Sequence, residues 1–181
     1  LCKNKALPGA PILTDDDVAY LRSMWETFGA DEIAELAAIE AETRHDVKAV
    51  EYFLKRRLDS AEESMGHPTA LTDLHEMVHI FCTSEDINNL SYAVVIKGAR
   101  ATVWGPAAQA LTQQLVDLAN ANAHLPMLSH THGQTATPTT LGKEMGVFAA
   151  RLNRQLRRIR ATEYLGKING ATGTFGAHAV S

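Results

Sequence analysis

The stretch from Ser84 to Ala119, SEDINNLSYAVVIKGARATVWGPAAQALTQQLVDLA, decides the fold. Its apolar side chains keep the spacing of one helix face over more than thirty residues, which is longer than an ordinary globular helix. They are Ile87, Leu90, Ala93, Val94, Ile96, Val103, Ala107, Leu111, Leu115, Leu118 and Ala119. Gly105 and Pro106 interrupt the pattern, and a proline inside a helix removes one backbone hydrogen bond and forces a kink or a break. The stretch therefore predicts one long, kinked helix.

Helix signals also dominate on both sides of this stretch. Thr14 followed by three aspartates has the form of an N-cap with acid in the first turn, and it predicts a helix that ends near Gly29. Periodic apolar residues predict further helices over residues 30–43, 47–58 and, beginning near Pro138, up to residue 165. Residues 59–71 are interpreted as a surface loop, and no segment shows sustained strand alternation.

The predicted fold class is all-α. A small N-terminal helical domain is expected over residues 1–70, and the first part of a long-helix bundle over residues 71–181, truncated at its end. The sequence begins without Met and ends without a polar tail, so both ends are expected to be cuts.

Composition narrows the class of protein. Hydrophobic residues make up 45% and charged residues 21%, as in a folded globular domain. The net charge of −4 lacks the basic excess of a nucleic-acid binder, so neither DNA nor RNA is an expected partner. Two cysteines, Cys2 and Cys82, form neither a disulfide framework nor a paired metal spacing. With no long apolar run, no membrane partner is expected and a cytoplasmic location is predicted.

The segment HEMVH, residues 75–79, fits the H-E-x-x-H pattern of zinc hydrolases. A catalytic zinc site needs a third protein ligand. One common extension places Gly and His where this sequence has Cys82 and Glu85, and the other needs a downstream Glu, which is missing between Glu85 and Glu144. A pair of satisfied or substrate-facing histidines is favoured, and no metal is predicted.

Three polar clusters interrupt the helical pattern at loops: residues 43–46, 82–89 and 129–138. Each alone could be an ion pair, a helix cap or a turn. Together they suggest a ligand-binding site. The hydroxyls of Thr83 and Ser84 at a helix N-terminus and the forked cation of Arg44 suit an anionic ligand. Histidine is the side chain most often used for proton transfer, and Gly133 beside His132 leaves room for a ligand. This set predicts a site for a polyanionic substrate and proton transfer.

Four motifs in order, TRHDVKAVEYFL, HIFCTSEDINNL, HTHGQTATPTTLGKEM and LGKINGATGTFGAH, resemble those of the adenylosuccinate lyases in the fumarase and aspartase superfamily. The resemblance covers the sequence from about Glu40 to its end; the first forty residues match only in being helical.

The resemblance implies a homotetramer of long helical bundles whose active sites are built from three subunits. It implies a β-elimination that releases fumarate, giving AMP from adenylosuccinate and AICAR from SAICAR, without a cofactor. His132 would be the general acid that protonates the leaving nitrogen. Substrate contacts would come from Arg44, His45, Asp46, His79, Thr83, Ser84 and Gln134, with His79 near the phosphate. His75 has no family role, so the H-E-x-x-H match is interpreted as accidental.

Parts of the family pattern are missing from this sequence. The loop that carries the family's catalytic base, a serine in a stretch like S-S-x-M-P-x-K-x-N, is not found, nor is the N-terminal Arg-Tyr phosphate contact. The 181 residues alone are therefore expected to be incomplete as an enzyme. The alternatives are a sister lyase acting on argininosuccinate or fumarate, and a non-catalytic helical fragment that only assembles with partner chains. Lys143 and Lys167 are interpreted as solvated lysines.

Overall fold

The computed structural model describes residues 9–180. Within that range the chain divides into two compact units, one formed by residues 9–90 together with 166–180 and the other by residues 91–165. We refer to them as the first and the second unit. The division follows the packing of the backbone, and the boundary predicted at residue 70 stays a prediction.

The first unit is helical. It contains α1 (Asp15–Glu26), α2 (Ala30–Thr43), α3 (Asp46–Asp59), α4 (Ala61–Met65), a 3-10 helix (Leu71–Met77), the start of α5 (Ser84–Ala99) and α8 (Gly176–Ala179). The predicted N-cap of α1 is confirmed, because the Thr14 hydroxyl accepts a hydrogen bond from the Asp17 N–H. The predicted surface loop over residues 59–71 is wrong in part, because Ala61–Met65 form a turn of helix whose first residue is buried.

The core of the first unit consists of two apolar clusters on α3. Ile39 of α2 packs with Ala49 and Phe53 of α3, and the Arg57 guanidinium lies 4.7 Å from the centre of the Phe53 ring. Farther along α3, Leu58 packs with Ala61 and Leu71. Burial of these side chains on one stripe of α3 holds the polar start of the same helix, at Asp46, in a defined place.

The predicted long helix is confirmed. α5 continues through a π-helical turn (Arg100–Trp104) into α6 (Gly105–Ala121). The Gly105 N–H donates to the Arg100 carbonyl oxygen, five residues back, and a Cβ on Gly105 would lie 2.6 Å from that oxygen. Pro106 follows directly and has no N–H to give. The chain thus accommodates the proline by a π turn within a continuous helix. Position 105 needs glycine because any side chain there would collide with the Arg100 carbonyl oxygen.

The second unit contains a β-hairpin that the sequence patterns did not predict. β1 (Pro126–Thr131) pairs antiparallel with β2 (Gln134–Thr140), with an irregularity between Leu128 and His130. Pro138 lies within β2 opposite Leu128, so the predicted helix start at Pro138 is wrong. The helix α7 (Leu141–Arg160) begins after Thr140, whose hydroxyl accepts from the Lys143 N–H, and it packs against α6. A hairpin with two open edges tolerates a residue that cannot donate to a ladder.

The predicted all-α class is confirmed, since helices account for most of the described chain and the small hairpin is its only sheet. No helix within residues 9–180 has the length and apolar character needed to cross a membrane.

Candidate functional site

The first polar cluster lies at the junction of α2 and α3. Arg44 adopts a left-handed conformation with φ 52° and ends α2, and His45 caps α3 by accepting the Lys48 N–H on Nδ1. Asp46 is the first residue of α3, and its carboxylate accepts from the N–H of Val47. The Arg44 side chain is exposed and has no hydrogen bond or ion pair with any residue in the range 9–180. This junction therefore presents a cation whose donors are available to a ligand.

The first and second polar clusters lie side by side in the first unit. The Ser84 hydroxyl is 3.4 Å from His45 Nε2, and the Asn88 side-chain amide donates to the Asp46 carboxylate at 3.4 Å. Ser84 and Asn88 are one helical turn apart on α5, so this face of α5 meets the α2–α3 junction. The folded chain thus brings together residues that are nearly forty positions apart in sequence.

At the N-terminus of α5, the Asp86 carboxylate already accepts one of the backbone N–H groups. The Thr83 N–H donates to Asp86 Oδ2 at 2.9 Å, so this amide is not available to a ligand anion. Ser84 is the first residue of the helix and Thr83 directly precedes it, so both hydroxyls lie at the helix N-terminus. Asp86 lies in the first turn of α5, where acid is favourable, and its carboxylate is fully buried.

Asp86 joins α5 to the fourth motif. Lys167 Nζ lies 2.7 Å from Asp86 Oδ1, and the N–H groups of Asn169 and Gly170 donate to the two oxygens at 3.2 and 3.1 Å. The hydrogen bond from Lys167 is the main reason that the pKa of Asp86 is lowered to about 2 although the carboxylate is buried. Lys167 is therefore engaged in an ion pair and is not the solvated lysine that the sequence suggested.

A cavity of about 440 Å³ lies between these segments in the first unit. One wall is formed by His79, Phe81, Cys82, Thr83 and Ser84, and the other by residues of the segment Asn169–Ala177. Two buried polar atoms on its lining residues, His79 Nε2 and Asn169 Oδ1, have no hydrogen-bond partner among the described residues. An unpaired buried polar atom is costly, and both of these atoms belong to residues that line this cavity.

The two histidines of HEMVH bind different carboxylates. His75 Nδ1 is 2.8 Å from Asp59 Oδ1, and His79 Nδ1 is 2.7 Å from Glu51 Oε2. His75 lies in the 3-10 helix and His79 lies beyond its end, so the two do not share the face of one α-helix. Within residues 9–180 no three His, Cys, Asp or Glu side chains are grouped to hold a metal ion.

The third polar cluster forms the turn of the hairpin in the second unit. Thr131 pairs with Gln134, so His132 and Gly133 are the two residues of the loop, with φ of 50° and 75°. Positive φ at both positions is the geometry of a type I′ turn, whose twist matches that of the strands. The His132 and Gln134 side chains are exposed at this tip. The turn thus presents the predicted acid at the end of a two-stranded arm.

Backbone strain coincides with the predicted site. Four non-glycine residues of the described chain have positive φ: Arg44, Phe81, His132 and Phe175. Arg44 and His132 are predicted site residues, Phe81 lines the cavity, and Phe175 lies between two residues that line it. Strained backbone is retained where the surroundings impose it, and it concentrates at functional sites.

Sequence reasoning missed two residues that organise this region, Glu51 and Asp86. Both are acids on amphipathic helices, where acids ordinarily lie on the exposed face, and Glu51 carries no local sign that it is buried. For Asp86 a signal was present, because it stands three residues after Thr83, the spacing of a helix-capping acid.

The fold of the chain is similar to those of solved enzymes. A fumarate lyase from Mesorhizobium sp. BNC1 aligns with a TM-score of 0.65 and 21% identity over 92% of this chain and 36% of its own. The 3-carboxy-cis,cis-muconate lactonizing enzyme from Pseudomonas putida aligns with a TM-score of 0.68 and 19% identity over 99% of this chain and 38% of its own. At these identities the likeness establishes the fold alone.

The chain belongs to the lyase family, whose pattern it matches over residues 1–181. It is 43% identical over 178 residues to the adenylosuccinate lyase of Escherichia coli (strain K12), which is 98% of this chain and 38% of that protein. Over 160 residues it is 44% identical to the adenylosuccinate lyase of Haemophilus influenzae, which is 88% of this chain and 34% of that protein. The predicted resemblance is thus confirmed, and the chain spans less than two fifths of the length of these relatives.

Proposed function

We propose that the protein is part of an adenylosuccinate lyase, which cleaves a carbon–nitrogen bond by β-elimination and releases fumarate. Its proposed substrates are adenylosuccinate, giving AMP, and SAICAR, giving AICAR. The proposal rests mainly on the 43% identity, over nearly the whole chain, to an adenylosuccinate lyase. The contact between Ser84 and His45, which brings two of the polar motifs together, supports it. A homotetramer with shared active sites in the cytoplasm is part of the same proposal.

The reaction needs a base, an acid and anchors for anions. A base removes a proton from the carbon beside a carboxylate, the electron pair of that bond forms the double bond of fumarate, and the carbon–nitrogen bond breaks. The nitrogen keeps the bonding pair and receives a proton from His132. An exposed imidazole at the tip of a hairpin is suited to this step, because it can approach a bound ligand and its ring nitrogen can donate a proton. The base is proposed to be the family's loop serine, which this sequence lacks.

Substrate binding is assigned to the first unit. The free guanidinium of Arg44 offers two parallel donors to a phosphate or carboxylate. The hydroxyls of Thr83 and Ser84 and the ring of His79 line one wall of the cavity and provide further polar contacts. His45 and Asp46 stand at the neighbouring junction. Gln134 follows the hairpin turn and is proposed to contact substrate beside His132.

The test is a comparison of two histidines in the same hairpin of the whole protein. His132→Ala is expected to lower kcat for adenylosuccinate cleavage by roughly 100-fold or more, the usual contribution of a positioned acid. His130→Ala is the control, because His130 is also exposed and lies on β1 two residues away. Cleavage is followed by the change in ultraviolet absorbance.

Normal turnover in His132→Ala would overturn the assignment of the acid. If the whole protein cleaved argininosuccinate and left adenylosuccinate unchanged, the sister lyase would be the better assignment. If neither succinyl compound were cleaved, the proposed catalytic function would be wrong, and a protein that only assembles with partner chains would be the better assignment.

A further inference from the structure

Glu51 is a buried acid that none of the proposed roles uses. It lies on α3 with 6% of its surface exposed, and its carboxylate contacts three cationic or protonated groups. Lys48 Nζ is 2.9 Å from both oxygens, Lys55 Nζ is 3.3 Å from Oε1, and His79 Nδ1 is 2.7 Å from Oε2. Burial alone would raise the pKa of Glu51, but the hydrogen bonds from Lys48, His79 and Lys55 outweigh it and lower the pKa to about 2. Glu51 is therefore ionised at neutral pH.

The ionised carboxylate decides which ring nitrogen of His79 carries a proton. A carboxylate can only accept hydrogen bonds, so the proton in the 2.7 Å contact with Glu51 must lie on His79 Nδ1. In the neutral ring, Nε2 then carries a lone pair, and in the charged ring it carries a second proton. A carboxylate that holds one nitrogen of a histidine in this way orients the ring for work by the other nitrogen.

The other nitrogen is the one without a partner. His79 Nε2 is buried and forms no hydrogen bond with any residue in the range 9–180. His79 lines the cavity beside Thr83 and Ser84, whereas Glu51 does not line it. The ring thus joins a buried anion to a cavity wall that also carries two hydroxyl groups.

We propose that Glu51 is a positioning residue for His79, fixing its Nδ1–H form so that Nε2 is offered to the substrate in this cavity. The contact with substrate rests on the proposed function, whereas the position of the proton does not. Lys48 and Lys55 share the carboxylate and keep it ionised, so the same cluster that stabilises α3 also sets the state of the histidine.

The first test is neutron diffraction from crystals of the whole protein grown with deuterium. Deuterium is expected on His79 Nδ1, directed at Glu51. A bare Nδ1 facing a deuterated Glu51 carboxyl group would overturn the proposal. This measurement needs no variant and no substrate, so it stands even if adenylosuccinate is not cleaved.

The second test is kinetic and compares two glutamates of one ion-pair network. Glu51→Gln is expected to raise KM for adenylosuccinate about tenfold with kcat nearly unchanged, because a binding contact is lost and the acid is not. Glu76→Gln is the control, since Glu76 is exposed and contacts Lys55 at 3.3 Å without touching His79 Nδ1. Circular dichroism checks that both variants fold.

Equal KM values for folded Glu51→Gln and the native protein would overturn the binding part of the proposal. If neutron density placed deuterium on Nδ1 but the native protein cleaved no adenylosuccinate, the proposed function would fail while the assignment of the proton remained.

Discussion

At the level of single residues, the buried carboxylate of Asp86 links helix capping to the shape of the candidate site. It accepts the Thr83 N–H, pairs with Lys167 and accepts two further N–H groups from residues 169 and 170. Asn89 supports the same link, because its side chain exchanges two hydrogen bonds with the backbone of Lys167. Both walls of the cavity are therefore tied to the first two turns of α5.

Asp86 should make the folded protein sensitive to acid. Its pKa of about 2 in the folded state lies below the ordinary value of 3.8, so its carboxylate stabilises the fold above about pH 3.8. That stabilisation is lost as the pH falls from 3.8 toward 2. Asp86→Asn removes the anion that pairs with Lys167 and leaves its ammonium with only the Gly170 carbonyl oxygen, so it is expected to lower Tm at pH 7 by roughly 10 °C. The difference from the native protein should narrow as the pH falls toward 2.

Thermal unfolding followed by circular dichroism at a series of pH values measures both effects. Asp73→Asn is the control, because Asp73 is exposed in the 3-10 helix and should keep Tm within about 2 °C of the native value. A Tm difference for Asp86→Asn that stayed constant down to pH 2 would contradict the assigned pKa.

Among the predicted site residues, those with a local sequence signal were easiest to identify. Thr83 and Ser84 stood at a helix start, and His132 stood beside a glycine, so their positions could be recognised from neighbouring residues. Lys48 and Lys55 are near Glu51 on the same helix, but the contacts of Glu51 with His79 and of Asp86 with Lys167 join residues that are distant in sequence. Burial of a charge is decided by such partners, and no local pattern reports it.

At the level of secondary structure elements, the β-hairpin shows why the sequence patterns failed between residues 126 and 140. Its strands carry threonines, histidine and proline and expose most of both faces, so they lack the apolar alternation by which a half-buried strand is recognised. The hairpin is defined instead by its turn, His132–Gly133, where two residues in succession have positive φ.

Gly133 is expected to contribute to the free energy of unfolding of the protein. Gly133→Ala puts a side chain at φ 75°, where nothing lies within 4 Å, so only backbone strain is added. The expected loss is about 1 kcal/mol in the free energy of unfolding, and Gly133→Asn should lose less because Asn tolerates this conformation. Urea unfolding of the whole protein measures both.

The matched control for this prediction is Gly98→Ala in α5. Gly98 has ordinary helical geometry and open space around its Cα, so alanine there is expected to stabilise the protein by roughly 0.5–1 kcal/mol. Equal effects of the two alanine substitutions would contradict a strained turn at Gly133.

At the level of the whole molecule, the second unit exposes more apolar surface than a monomer normally does. Large side chains with between 45% and 70% of their surface exposed lie along α5, the π turn and α6: Tyr92, Val94, Val95, Ile96, Val103, Trp104, Leu111 and Leu118. Such faces are typical of helices that pack against further helices. The chain covers 38% of a relative with which it shares 43% identity, so the remaining length of such a protein could supply those helices.

The proposed homotetramer predicts the mass of the whole protein in solution. Light scattering coupled to gel filtration should give four times the subunit mass. Val94→Glu, which places a charge on the apolar face, is expected to give smaller species because burying an unpaired charge is costly. Gln114→Glu on α6 is the control, since Gln114 is an exposed polar residue. A native protein that eluted as a monomer would contradict the tetramer.

The sequence by itself determined the family and most of the long helices, although not the short α4 or the start of α7. Apolar spacing, the Thr14 cap and the Gly105–Pro106 interruption are local signals, so they predicted where helices form and that α5 and α6 join. The four ordered motifs carried the resemblance that the comparisons confirmed. Only the tertiary structure showed that His45 meets Ser84 and that Glu51 and Asp86 are buried acids holding His79 and Lys167. These contacts depend on which faces pack together, and that choice is made by burial over the whole fold rather than by neighbouring residues.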